Sequence, residues 1–106
     1  MVKLDQMKKS SLATALKIKE LNAYQLMKNE LFETIHLELL PGEGIPLHPN
    51  PQRVLFYVLS GEGMFYQAES DLLMKQDDSI DVPAGAERSW KNTGTGSLKL
   101  LVVKFF

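Results

Sequence analysis

Turn residues punctuate residues 41–96 of this chain so densely that they limit its fold more than any other feature. They fall at Pro41-Gly42, Ser60-Gly61-Glu62-Gly63, Asp77-Asp78, Pro83-Ala84-Gly85 and Asn92-Thr93-Gly94-Thr95-Gly96. The runs between them follow the two-residue period of a strand rather than the 3.6-residue period of a helix. Ile35, Leu37 and Leu39 alternate with Thr34, His36 and Glu38, the pattern of a half-buried strand. Residues 52–60 form the strongest strand, and 98–105 the last. Shorter strands are expected at Leu16 to Lys19 and from Met64, Leu72, Ile80 and Arg88 onward. About eight short antiparallel strands with no helix-length segment between them predict an all-β sandwich or barrel. A parallel sheet would need helical crossovers.

Two strands are apolar on both sides. Val54, Phe56 and Val58 oppose Leu55, Tyr57 and Leu59, and Leu98, Leu100 and Val102 oppose Leu101, Val103 and Phe105. A sheet with one wet face alternates more cleanly, so a second layer covers the outer face. A homodimer is expected; the alternative is that the N-terminal segment folds back over it. Leu4, Met7, Leu12 and Ala15 make only a thin stripe, broken by Lys8, Lys9, Ser10 and Ser11. Residues 1–14 therefore read as a leader, frayed or marginally helical, and 15–106 as a single barrel domain.

Composition removes several function classes. The chain has no cysteine, hence no disulfide scaffold, thiol nucleophile or Cys-based zinc site. Its longest apolar run, Val54 to Leu59, is far below the roughly 20 residues of a membrane span. The net charge of −1 gives no global attraction to nucleic acid. Six lysines against Asp5, Glu20 and Glu30 in residues 1–30 lack the arginines and interleaved aromatics of an RNA arm. Ser11 to Leu16 is too short for a signal-peptide core. Neither a nucleic-acid nor a membrane partner is expected, and the location expected is cytoplasmic.

Two stretches carry a family resemblance. Gly42, five residues, His48, one, Asn50, three, Val54, six and Gly61 match the spacing of the first cupin motif. Asp77, five, Pro83, one, Gly85, two, Arg88, three and Asn92 match the second. The chain thus resembles a small single-domain cupin, which implies a double-stranded β-helix, or jelly-roll barrel. The resemblance also implies a metal held by two His and one Glu of the first motif and one His of the second. Those positions here are His48, Asn50, Val54 (Leu55 with a longer spacer) and Arg88. Asp77 stands where the second motif opens with Gly, a change that a turn tolerates.

Three of the four ligand positions are therefore substituted. Asn50 offers a weak amide oxygen, Val54 nothing, and Arg88 is a permanently charged donor. At about 4 Å and an effective dielectric of about 20, Arg88 would repel a divalent ion by roughly 8 kcal/mol. No metal and no other cofactor are expected. A rebuilt metal set would have to recruit His36 and Glu38, from the polar side of their strand, or Glu87 through a one-residue slip.

The same residues suit a small-molecule pocket. Arg88 carries a planar fork matched to a carboxylate or phosphate, and Trp90 shares its face. Val54 and Phe56 supply an apolar wall, with His48 and Asn50 at the rim. The leading expectation is a metal-independent protein that binds or senses a small anionic or polar ligand through His48, Asn50, Val54, Phe56, Arg88 and Trp90. Alternatively Arg88 pairs with Glu87, Asp81 or another carboxylate, and the pocket is a vestige in a structural or regulatory dimer. An isomerase or epimerase would use His48 as general base, with Tyr57 or Tyr66 beside it. A metal-dependent oxygenase would need the rebuilt ligand set.

Overall fold

A computed structural model describes residues 9, 11–12, 15–17 and 22–106. The expected leader, 1–14, lies almost wholly outside these residues, as do Ile18 and Lys19 of the first expected strand.

Among the described residues there are ten strands and no helix. They are β1 (Leu16–Lys17), β2 (Asn22–Lys28), β3 (Phe32–Leu39), β4 (Gly44–Pro49), β5 (Arg53–Ser60), β6 (Glu62–Gln67), β7 (Ser70–Lys75), β8 (Ser79–Val82), β9 (Glu87–Lys91) and β10 (Leu98–Phe105). All pairings are antiparallel. One sheet runs β1-β2-β3-β10-β5-β8 and the other β4-β9-β6-β7. The chain moves back and forth between the two, a layered arrangement that fits the sandwich or barrel the turns predict and the jelly roll the family resemblance implies.

β2 and β4 exceed the expected eight strands, for identifiable reasons. β4 carries Pro46 and Pro49, which a central strand rejects for want of an N–H; it is an edge strand, where proline is tolerated. β2 places a small and a polar residue, Ala23 and Gln25, where a hydrophobic period would show. A bulge between Gln25 and Met27 then breaks its register.

Two turns show why their residues stand where they do. Gly61 turns the chain from β5 into β6 at φ +83°, and a Cβ there would run into the Ser97 carbonyl. Asp77, where the second motif opens with glycine, adopts φ +70°. Its N–H donates to Val58 O at 2.9 Å, and its Oδ1 accepts from the Tyr57 hydroxyl at 2.8 Å.

The core lies between the sheets. Ile35, Leu37 and Leu39 of β3, Val54, Phe56 and Val58 of β5, and Leu98, Leu100 and Val102 of β10 face Phe65 and Trp90 across it. Phe56, Phe65 and Trp90 meet edge to face or tilted, with centroids 5.2–6.1 Å apart. Such pairs add about 0.5–1.5 kcal/mol each beyond their buried area. Asn92 ties the closing hairpin to this core. Its Nδ2 donates to Leu39 O and Gly96 O, both at 2.8 Å, and its Oδ1 accepts from Gly94 N at 2.9 Å. On the outer side of the six-stranded sheet, Leu101 lies between His36 and Tyr57, and Val103 between Thr34 and Leu55.

Candidate functional site

β9 is short, but its alternation is strict: Arg88 and Trp90 point inward, while Glu87 and Lys91 are exposed. Across the barrel, β3 and β10 turn Ile35, Leu37 and Val102 to the same space, and β2 adds Ala23. Between these walls lies a cavity of about 280 Å³, bounded also by Ile45, His48, Asn50, Phe56 and Lys104. Its depth is apolar. Its polar groups gather on the side where His48 is exposed and Asn50 and Lys104 are half-buried.

Arg88 dominates that side, with only 6% of its surface exposed. Its Nη1 donates to His48 O and meets His48 Nε2, both at 3.1 Å. The guanidinium lies over the Phe56 ring, 5.8 Å from its centre. Nε is enclosed without a partner, and Nη2 has no acceptor among the described residues. Burial pushes the Arg88 pKa below its ordinary value, yet a guanidinium keeps its proton at working pH. Among the described residues no carboxylate pairs with it. Asp81 is held by Arg53, whose Nε donates to it at 2.8 Å, and Glu87 alternates to the outside.

His48 is arranged to support this arginine. Its Nδ1 lies 2.7 Å from Pro46 O, so Nδ1 carries the proton and Nε2 turns its lone pair to Arg88. Both ring nitrogens of His48 are thus engaged. Tyr57 and Tyr66 do not adjoin it: both alternate away from the core, and Tyr57 bonds Asp77.

The four positions do not form a divalent-metal donor set. The lone pair that His48 could offer goes to Arg88, the Asn50 Oδ1 accepts from Gln52 N at 2.9 Å, and Arg88 brings positive charge. Val54 is wholly enclosed. The rebuilt set does not assemble either, because His36 and Glu38 lie on the outer face of the six-stranded sheet, opposite to the cavity-lining Ile35 and Leu37.

Of the residues expected at the site, His48, Asn50, Phe56, Arg88 and Trp90 border one cavity. Val54 does not; at 0% exposure it is core and has no surface to offer a ligand. Ala23, Ile35, Leu37, Ile45, Val102 and Lys104 were missed, although Ile35, Leu37 and Val102 were read as core-facing. Lys104 was within reach of sequence reasoning, because the two-residue period through Leu98, Leu100 and Val102 continues to it. Ala23 and Ile45 sit on the two strands whose patterns are weak.

A sequence model of the cupin domain matches residues 35–104. The chain belongs to the cupin family. An oxalate-binding protein of Thermotoga maritima is 30% identical to this cupin over 80 residues, covering 74% of this chain and 66% of that protein. The chain thus spans just under two thirds of that relative's length. Among solved structures, the Cnp3 cupin domain of Schizosaccharomyces pombe superposes with a TM-score of 0.80 at 25% identity, over 92% of this chain and 68% of that one. A predicted oxalate decarboxylase of Thermotoga maritima superposes at 0.74 with 27% identity, over 79% and 78%. The jelly-roll barrel implied by the two motifs is therefore the fold of this cupin.

Proposed function

We propose that this cupin is a metal-independent binding or sensing protein for a small anionic ligand, which it holds at Arg88. One observation carries the reading: an arginine only 6% exposed, its Nε enclosed without a partner, that no carboxylate of the described residues neutralises. Burying an unpaired charge is destabilising by several kcal/mol. A site that keeps one, oriented by His48 at the open side of an apolar cavity, is built to be completed by an anion from outside. The T. maritima relative is described as binding oxalate, itself an anion. A homodimer accompanies this reading, through the outer face bearing Leu55, Leu101 and Val103.

The test has two parts. Protein purified without chelators is analysed for metals, then its melting is followed against carboxylates and sugar phosphates, with Arg88→Ala as control. Stabilisation of the wild type alone, without stoichiometric metal, is the expected result. A stoichiometric transition metal refutes metal independence, and equal shifts in the variant refute the role of Arg88. Light scattering should give twice the 12.0 kDa chain mass; a monomeric mass removes the dimer.

A further inference from the structure

Among the described residues that line the cavity, the side-chain groups left without a partner are all donors. Arg88 keeps Nη2. The Asn50 Oδ1 is turned to Gln52 N, which leaves its Nδ2 free. Lys104 can only donate, and so can Trp90, whose Nε1 has no partner. His48 offers no acceptor, because its lone pair faces Arg88. Deeper in, Ile35, Leu37, Phe56, Trp90 and Val102 present hydrocarbon and ring surface.

A ligand that satisfies this arrangement has acceptor-only oxygens at one end and no hydroxyls along its body. We propose that it is a monocarboxylate with a plain hydrocarbon body, aliphatic or aromatic. Its carboxylate oxygens meet Arg88 Nη2 and Asn50 Nδ2, near the charge of Lys104, and its carbons fill the apolar depth. This deepens the anion-binding reading above and rests on it. At about 30 Å³ for each water-sized group, a cavity of 280 Å³ takes roughly nine heavy atoms, the size of a short-chain acid. A sugar phosphate would bury hydroxyl donors against walls without acceptors. The second carboxylate of oxalate would face hydrocarbon, where an unpaired charge is strongly disfavoured.

Titration calorimetry on the whole chain tests this with acetate, butanoate, hexanoate, oxalate, glucose 6-phosphate and hexan-1-ol. Affinity should rise about fourfold per methylene from acetate to hexanoate. Oxalate, the sugar phosphate and the alcohol should each bind at least about tenfold more weakly than hexanoate. Asn50→Ala should weaken every alkanoate by about the same factor and leave the per-methylene gain intact. Affinity that stays flat along the series, or oxalate binding above hexanoate through Arg88, overturns the monocarboxylate while leaving anion binding in place. No binding of any anion overturns both.

Discussion

Arg88→Met separates an arginine kept for a ligand from one kept for the fold. The substitution preserves length and removes charge. What it removes is known: two bonds of 3.1 Å from Nη1 to His48 and a contact with the Phe56 ring. His48 is exposed, so water replaces most of what its acceptors lose, and the net loss is about 1 kcal/mol. The ring contact adds about 0.5–1 kcal/mol. Against this stands relief from keeping the cation of a residue only 6% exposed without a carboxylate, several kcal/mol in typical cases. Stability should therefore stay level or rise by about 2 kcal/mol, a midpoint shift of up to about 10 °C for a domain of this size. Carboxylate binding should weaken at least about thirtyfold, the effect of losing one charged hydrogen bond of about 2 kcal/mol. Urea unfolding and calorimetry read the two effects separately. A loss of more than about 3 kcal/mol on unfolding, with carboxylate affinity unchanged, would refute the reasoning, because Arg88 would then be a strut.

Other substitutions test the frame around the site. Asn92→Ala strips the partners from Leu39 O, Gly96 O and Gly94 N at a position 1% exposed. It should lower urea stability by about 3–5 kcal/mol, given roughly 1–3 for each buried group left unpaired; a loss below about 1 would show that water takes over. Gly61→Ala should lower stability more than Gly42→Ala. Both residues have positive φ, but only at Gly61 does a Cβ meet backbone, at Ser97 O. Equal losses in denaturation would remove the steric argument. His36, with Nδ1 enclosed and unpartnered, is held below its ordinary pKa of 6.5 by burial and then by Lys99, against the opposing pull of Glu38. The unfolded chain then takes up the proton first. The contribution of His36 is complete above pH 6.5 and is lost as the pH falls below it. Unfolding midpoints should drop between pH 7.5 and 5.5, and His36→Gln should flatten that slope; an unchanged slope excludes His36.

The fold was legible where burial imposes a strict period. β3, β5 and β10 pass through the middle of a sheet and face the core, so their alternation survives in the sequence. β4 was hidden because an edge strand can carry Pro46 and Pro49, residues that ordinarily argue against a strand. β2 was hidden because Ala23 and Gln25 face inward there without marking a hydrophobic beat. The site divides in the same way. Arg88 and Trp90 were readable from the alternation of β9, while Ala23 and Ile45 came with the two unrecognised strands. What no sequence pattern could decide was whether Arg88 has a carboxylate partner. Asp81 and Glu87 were equal candidates until the pairing of β5 with β8 gave Asp81 to Arg53 and the pleat turned Glu87 outward.

The substitutions in the two motifs act together rather than one by one. Arginine at position 88 does more than remove an imidazole: its Nη1 engages the lone pair that His48 would need to bind a metal. His48 in turn is locked by Pro46 O in the tautomer that can accept from a guanidinium. Asn50, in place of a second histidine, turns its oxygen to the backbone of its own loop and keeps only an N–H₂ available. Val54 stands where the first motif carries a carboxylate, and joins the core. On the anion-binding reading proposed above, these substitutions together convert a set of electron-pair donors into a set of hydrogen-bond donors, and the charge complement of the rim changes from a cation to an anion.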